Sequence, residues 1–430
     1  MAATGRGKKQ ILNSEDTIKL MMKRFSLLTY PIEGKTVILR VDFNVPLDSQ
    51  RKVTNQRKIK ETLPTIRYLL EKNCKIVILT HLGRPQGKIA EELRIRPLAQ
   101  ELKRFLPKTK INLFDDCLGP EIKTAILNGK QQEIFFLENV RFYQEEEEND
   151  LAFAHSLADL GEIYVNDAFG VYGEHASVDA ITRFLPAMAG FLVERELQQL
   201  SKALRPVHPS VWMIGGAKLT KVDLIRQALR KADYVLIGGA LAFAFLKAKG
   251  LQVGNSKIDH DSVLIAKKIL KKWNARKIIL PIDFMATTTF SRTAKITHVK
   301  SDQIQPEQIC LDLGPKTIEL FKQYLRKAQT IVWNGPLGYF EWVKFATATR
   351  EIARFISRLT AMSICGGGET AEAIERYHVE GGITHLSTGG GAALLFLSGK
   401  KIPSITALEK NYQHFRKKVK SKESLFRRRF

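Results

Sequence analysis

Short apolar, β-branched runs recur along the chain, each followed by a stretch whose apolar residues return every three or four positions. The first set lies at 36-TVILRVDF-43, 75-KIVILTH-81, 133-EIFFLENV-140 and 162-EIYVNDAF-169. The second lies at 211-VWMIGG-216, 234-YVLIGG-239, 277-KIILPIDF-284, 330-TIVWNG-335 and 361-AMSICGG-367. Near-continuous apolar runs suit strands covered on both faces of a parallel sheet. Helical periodicity marks 59-IKETLPTIRYLLEK-72, 97-PLAQELKRFL-106 and 343-VKFATATREIARFISRL-359, with Pro64 expected near a first turn or at a kink. The alternation predicts an α/β protein of two Rossmann-like domains, each a parallel sheet flanked by helices. The stretch 192-LVERELQQLSKALRPVHPS-210 separates the two sets and reads as an interdomain helix over 192–207. The expected domains are therefore 26–191 and 208–400, with a basic N-terminal extension over 1–25 and a C-terminal segment with a basic tail over 401–430.

The two sets of strands end differently. In the first, they run into Asp42, Asn44, His81, Arg84, Arg141 and Asp167; in the second, into glycine pairs and triplets at 215–216, 238–239, 366–368 and 389–391. Ligands of open α/β sheets bind beyond the carboxyl ends of the strands. The first half thus offers a basic pocket with orienting side chains, and the second offers backbone N–H donors suited to phosphate. Neither G-x-x-x-x-G-K-[ST] nor G-x-G-x-x-G after the first strand occurs, which disfavours a P-loop NTPase and a nicotinamide dehydrogenase. In 215-GGAKLTK-221 both Lys218 and Lys221 can serve one phosphate chain. In 366-GGGET-370, Glu369 can reach a Mg²⁺ held mainly by phosphates, with Thr370 beside it. Cations, a metal carboxylate and backbone donors together meet the needs of phosphoryl transfer.

Composition adds bounds. With 44% hydrophobic and 26% charged residues in 430, the chain is of ordinary globular make-up. Four scattered cysteines make neither a disulfide framework nor a zinc site and read as buried thiols. No apolar run reaches membrane-spanning length, and residues 1–24 hold Glu15 and Asp16 without the apolar stretch of a secretory leader. A cytoplasmic location is expected. The net charge of +24 is uneven, since residues 410–430 carry nine Lys or Arg against Glu423 alone. That run is either a contact for RNA, DNA or acidic lipid, or a solubilising terminus or exposed helix.

The runs 41-VDFNVP-46, 80-THLGRP-85, 138-ENVRF-142, 166-NDAFG-170, 175-HAS-177, 215-GGAK-218 and 312-DLGPKT-317 occur in order. They are followed by 332-VWNGPLGYFEW-342, 366-GGGET-370, 385-HLSTGGGA-392 and 406-TALE-409. Over about residues 30–408 the chain resembles phosphoglycerate kinases. The resemblance implies a monomeric glycolytic enzyme moving a phosphoryl group between 1,3-bisphosphoglycerate and ADP, with Mg²⁺, to give 3-phosphoglycerate and ATP. It places Asp42, Phe43, Asn44, Arg57, His81, Leu82, Gly83, Arg84 and Arg141 around the phosphoglycerate. Arg57 and Lys218 would be the catalytic cations. Gly215, Gly216, Lys221, Gly238, Gly239, Asn334, Glu341, Gly367, Gly368, Glu369, Thr370, Gly389, Gly390 and Gly391 would line the nucleotide, with Glu369 on the metal. Asp167 reads instead as a structural partner, and Trp333 and Trp342 as core.

Three departures stand out. The segment after Asp-Ala-Phe-Gly is one residue shorter than in the family and lacks its substrate-contacting arginine; residues 166–182 hold no Lys or Arg at all. The two lysines of the glycine loop are three apart instead of four, and the metal-loop acid is Glu instead of Asp. The alternative these leave open is a family member of weakened or lost activity, with its basic tail binding nucleic acid or another anionic partner.

Overall fold

The computed structural model describes residues 24–216, 221–258 and 260–427. Nearly all of the N-terminal extension lies outside that set, as do Lys218 and, in the basic run, the side chains from Lys417 onward. The chain forms two compact units. One holds residues 24–197 and the segment from Lys401, and the other holds 198–400.

The first unit is built on a seven-stranded sheet. Its strands are β1 (Phe25–Ser26), β2 (Thr36–Val41), β3 (Lys75–Leu79), β4 (Ile111–Leu113), β5 (Ile134–Phe136), β6 (Ile163–Asp167) and β7 (Ala187–Ala189). The order is β1-β7-β6-β2-β3-β5-β4, all parallel. The central strands β2, β3 and β6 are buried almost end to end, as their apolar runs require. The helix Arg57–Glu71 buries Ile59, Leu63, Ile66 and Leu69 at helical spacing against this sheet's core. Pro64 lies in the helix interior, half-way along, not in its first turn.

At the end of β6, Asp167 is fully buried, and its Oδ1 accepts from the backbone N–H of Leu192 (2.9 Å) and Val193 (3.2 Å). Those amides begin the helix Phe191–Leu204, the expected connector, so Asp167 satisfies donors that the helix itself cannot. A Cβ at Gly190 would fall 2.3 Å from Asp167 Oδ1, so only glycine lets the strand end and the helix start meet this closely. Asp167 is thus a structural residue.

In the second unit the strands are β8 (Ser210–Ile214), β9 (Tyr234–Ile237), β10 (Ile278–Ile279), β11 (Asp283–Thr287), β12 (Thr297–Lys300), β13 (Ile309–Leu313), β14 (Thr330–Asn334), β15 (Met362–Gly366) and β16 (His385–Leu386). Six make a parallel sheet in the order β10-β9-β8-β14-β15-β16, and β12-β11-β13 make a separate antiparallel one. The apolar run 277–284, expected as one strand, is therefore split between two sheets. Pro281 has no N–H to continue a ladder, so pairing with β9 stops at Ile279 and β11 begins at Asp283.

The segment after 401 is not simply an appended tail. Pro403–Arg427 is one helix whose Ile405, Leu408 and Phe415 are buried, with the Tyr412 ring 5.0 Å from that of Phe25. Buried Asn411 accepts from Ala187 N–H (2.8 Å) and donates to the carbonyls of Thr182 and Leu185 (2.5 and 2.7 Å), tying this helix to β7.

Two outcomes follow from these contacts. Replacing Asn411 by Ala leaves two buried backbone groups and one half-buried carbonyl without this partner and is expected to cost about 2–4 kcal/mol, read from the urea midpoint of the first unit's transition. Burial pushes the Asp167 carboxyl up to about 7, from 3.8. A folded-state value above the unfolded one means that this stability is present below pH ~4 and is lost as pH rises through about 7. Asp167→Asn, which keeps the cap acceptor and cannot ionise, is expected to flatten that decline in denaturation curves taken from pH 4 to 7.5.

Candidate active site

In the first unit, adjacent parallel strands deliver their charged residues to one edge of the sheet. Beyond β2 come buried Asp42 and half-buried Asn44; beyond β3 come His81, Leu82 and Gly83; after β5 comes the turn Val140–Phe142 with Arg141. Asn44 binds the β3 loop directly, its Oδ1 accepting from Gly83 N–H at 3.0 Å. Phe43 and Leu82 are buried and fix these loops from below, with Phe43 N–H bonded to Thr80 Oγ1 at 3.2 Å. The Arg141 guanidinium donates to the Gly83 carbonyl at 3.0 Å, while its Nε is buried without a hydrogen-bond partner among the described residues. Arg84 is exposed.

Asp42 meets a cation that the motif reading passed over. Lys58 Nζ lies 2.7 Å from Asp42 Oδ2. Lys58 is the second residue of the helix that Arg57 opens, and Arg57 N–H bonds Asn55 Oδ1 at 2.9 Å. The resemblance directed attention to Arg57 in 55-NQRKIK-60; its neighbour Lys58 is also part of the site, held against this carboxylate. His81 is also surrounded by positive charge. Burial and the nearby Arg40, Arg141 and Lys58 hold its imidazole well below the usual histidine range, in the neutral form.

The shortened segment 170–177 brings His175 toward the same group. Its Nδ1 is buried with no hydrogen-bond partner among the described residues, and burial with Arg141 and Arg40 pushes its pKa down to about 4. This segment therefore brings a neutral ring to the group and no Lys or Arg.

The second unit is different in kind. Strands β8, β14 and β15 run in register, so that Ile214, Asn334 and Gly366 end side by side. Lys221, nearly buried, donates from Nζ to the carbonyls of Gly215 (2.7 Å) and Asn334 (3.3 Å). A Cβ built on Gly216 would lie 3.1 Å from Lys221 Nζ and 3.7 Å from Glu369 Oε2, so the ammonium and the carboxylate flank this one glycine. Asn334 Nδ2 donates to the Gly366 carbonyl (2.9 Å), and buried Thr370 Oγ1 accepts from Gly335 N–H (2.7 Å). Gly367 and Gly368 lead into the helix Gly368–Arg376, whose first turn carries exposed Glu369. Gly389, Gly390 and Gly391 lead similarly into Gly391–Leu397.

Gly238 and Gly239 follow β9 and join the same edge, with Gly239 N–H bonded to the Leu337 carbonyl at 3.1 Å. Gly239 has φ +59°, and a Cβ there would stand 2.5 Å from Gly216 N. Glu341 is exposed on the loop after β14. Trp333 is core, as expected. Trp342 is only half-buried; it packs on Phe290 (4.5 Å between ring centres) and Tyr339 (4.8 Å), both exposed. A tryptophan within an apolar motif cannot be told from a core residue by pattern alone.

Each sheet thus carries one ligand-ready edge, a cationic cup on the first and an amide shelf with a lysine and a carboxylate on the second. The family model for phosphoglycerate kinase matches residues 28–400. The chain belongs to the phosphoglycerate kinase family. It is 44% identical over 396 residues to the phosphoglycerate kinase of Prosthecochloris aestuarii, covering 90% of this chain and all of that one. The Moorella thermoacetica phosphoglycerate kinase is 42% identical over 392 residues, at 90% and 99% coverage. Among solved structures, phosphoglycerate kinase from Coxiella burnetii aligns with a TM-score of 0.80 and 34% identity over 90% of this chain and 100% of its own. The Pyrococcus horikoshii OT3 phosphoglycerate kinase gives 0.80 and 32%, at 90% and 99% coverage. No helix among the described residues is long and apolar enough to cross a membrane.

The shelf of this phosphoglycerate kinase family member rests on close backbone approach. Gly239→Ala is expected to displace the Gly215–Gly216 loop, weakening ADP binding by an order of magnitude or more in calorimetry, while phosphoglycerate binding to the first unit is unchanged.

Proposed function

We propose that the chain moves a phosphoryl group directly between 1,3-bisphosphoglycerate and ADP, giving 3-phosphoglycerate and ATP in glycolysis, as a cytoplasmic monomer. The observation that carries this reading is the division of labour between two sheet edges in a chain of this family. An anionic three-carbon acid suits the cup; a nucleotide's phosphates suit the shelf.

The residues take the following roles. Asn44 and Asp42 hold the hydroxyl and carboxyl end of the phosphoglycerate. Arg84, Arg141 and neutral His81 donate to its anionic groups, and Phe43, Leu82 and Gly83 shape the wall behind them. Arg57 and Lys58 share the helix start beside Asp42, and Lys58 is placed to meet ligand charge when a substrate anion competes with Asp42 for its ammonium. On the shelf, the amides around Gly215, Gly216, Gly238, Gly239 and Gly389–Gly391 line the nucleotide, and Glu341 serves its ribose. Lys221 neutralises its phosphates, and Lys218, outside the described residues, follows the transferring group.

A Mg²⁺ fits this shelf. No group of three or more metal-ligating side chains occurs among the described residues, and one carboxylate, Glu369, stands beside the phosphate-facing glycines. That donor set suits a hard cation carried mainly by phosphate oxygens. When bound, the ion neutralises charge on the nucleotide phosphates. The protein's own contribution is positional and electrostatic: phosphoryl transfer in line needs fixed donors around a spreading negative charge and exclusion of water, with no covalent enzyme intermediate.

In a coupled assay with 3-phosphoglycerate and MgATP the chain is expected to turn over, and complete inactivity of folded protein would overturn the reading. Lys58→Ala is expected to lower kcat/KM for 3-phosphoglycerate by tenfold or more with the KM for MgATP unchanged, and Lys58→Arg to restore most of it. Because segment 170–177 holds no Lys or Arg, the wild-type KM for 3-phosphoglycerate should exceed that of relatives with the arginine. Equal values would mean that another cation fills the gap.

A further inference from the structure

Arg40 is an anomaly in both sequence and structure. It sits within the apolar run of β2, in the middle of the sheet, and its side chain is 0% exposed. A buried guanidinium is tolerated only if its donors are matched. They are. Nε donates to Ser177 Oγ at 2.8 Å, and Nη1 donates to the Val41 carbonyl at 2.6 Å. Nη2 lies 3.2 Å from His81 Nδ1 and 3.9 Å from Glu146 Oε1. Glu146, also fully buried, accepts from Ser177 Oγ (2.6 Å) and Ser177 N–H (2.7 Å).

The direction of the Arg40–His81 bond is forced by chemistry. A guanidinium has five N–H donors, no acceptor, and a proton it does not give up. Nδ1 of His81 must therefore be the acceptor, and the ring's one proton resides on Nε2. We propose that Arg40 is a positioning residue which, braced by Ser177 and Glu146, locks His81 as the Nε2–H tautomer, making it a fixed donor toward anionic substrate.

The arrangement has a functional logic. An unconstrained imidazole near neutral pH exchanges between two tautomers and a cation, only some of which donate in a given direction. Here the groups acting on His81 are Arg40 from β2, Lys58 from the helix start, Arg141 from the turn after β5, and His175 from the segment after β6. All disfavour a second proton on the ring. The run 170–177 lacks the family's arginine but keeps 175-HAS-177, and Ser177 in it is the brace. The ring's donor character would then be independent of pH over the range in which free histidine titrates.

The inference rests on the reading that His81 touches phosphoglycerate, and the experiment separates the two. Long-range ¹H–¹⁵N spectra of the full chain labelled in histidine report tautomer and protonation for each ring, with His81→Gln used only to assign its signals. The expected result is an unprotonated Nδ1 and protonated Nε2 for His81, unchanged from pH 7.5 to 5.5. An Nδ1–H tautomer, or titration near 6.5, overturns the proposal.

Addition of 3-phosphoglycerate should shift the His81 Nε2 signal. If the tautomer is as stated but no shift occurs, Arg40 still orients the ring, and it is the substrate contact, with the donor role, that fails. Arg40→Met is expected to give mixed tautomers, a midpoint moved toward 6.5, and a KM for 3-phosphoglycerate raised about tenfold, with that for MgATP unchanged. A loss of stability with the His81 spectrum unchanged would reduce Arg40 to a packing residue and overturn the proposal. Should that variant fail to fold, Arg40→Met/Glu146→Gln removes both buried charges together, and the same spectrum decides.

Discussion

Parallel strands buried on both faces impose the constraint from which the site follows. Such strands cannot turn back on themselves, so each leaves the sheet at one common edge, hands over to a helix, and returns at the other. Everything polar that the interior cannot hold is expelled at those edges. In the first unit the expelled residues are Asp42, Asn44, His81 and Arg141; in the second they are glycines followed by helix starts. The same backbone plan therefore yields two unlike surfaces, distinguished only by what stands in the two or three positions after each strand.

The glycines are more than flexible punctuation. At Gly190 and Gly239 a methyl group would collide with a carboxylate and with a backbone nitrogen. Each marks a place where two chain segments approach too closely for a side chain. Gly190 lets Asp167 reach the start of the connecting helix, and Gly239 lets the β9 loop rest on the β8 loop. The first is a matter of architecture and the second of ligand shape, yet the physical requirement is the same.

The two-sheet plan was legible in the sequence because apolar runs and glycine-rich ends recur with regular spacing. Where it misled, the reasons are local. Pro281 divides an apolar run that periodicity alone presents as one strand. For the helix Pro403–Arg427, charge hid the anchoring and not the helix: Lys and Arg dominate the run, while Ile405, Leu408, Tyr412 and Phe415 at helical spacing anchor its first half to the first unit. At the site, motif matching led to Arg57 and passed over its neighbour Lys58, which pairs with Asp42. A pairing between an N-terminal helix turn and a strand end sixteen residues earlier is not disclosed by the motif itself. Arg40 stands in an apolar strand and carries no motif of its own, and its partners Ser177 and Glu146 lie 137 and 106 positions away with no local pattern to join them.

That long-range pairing shows how the first unit can afford a charged strand. A carboxylate, a hydroxyl, a carbonyl and an imidazole nitrogen surround one guanidinium, and the serine comes from the very segment that departs from the family pattern. That segment holds no Lys or Arg, yet its serine stays bonded to Arg40. What it lacks is charge, not the anchor that orients the groups around Arg40. Of the polar groups behind the cup, Arg40, Ser177 and Glu146 are buried and paired with one another. Those open to the edge (Lys58, Arg84, Arg141) are the ones a ligand can recruit. A chain can change its affinity for an anion by editing the second set, provided that the first is left intact.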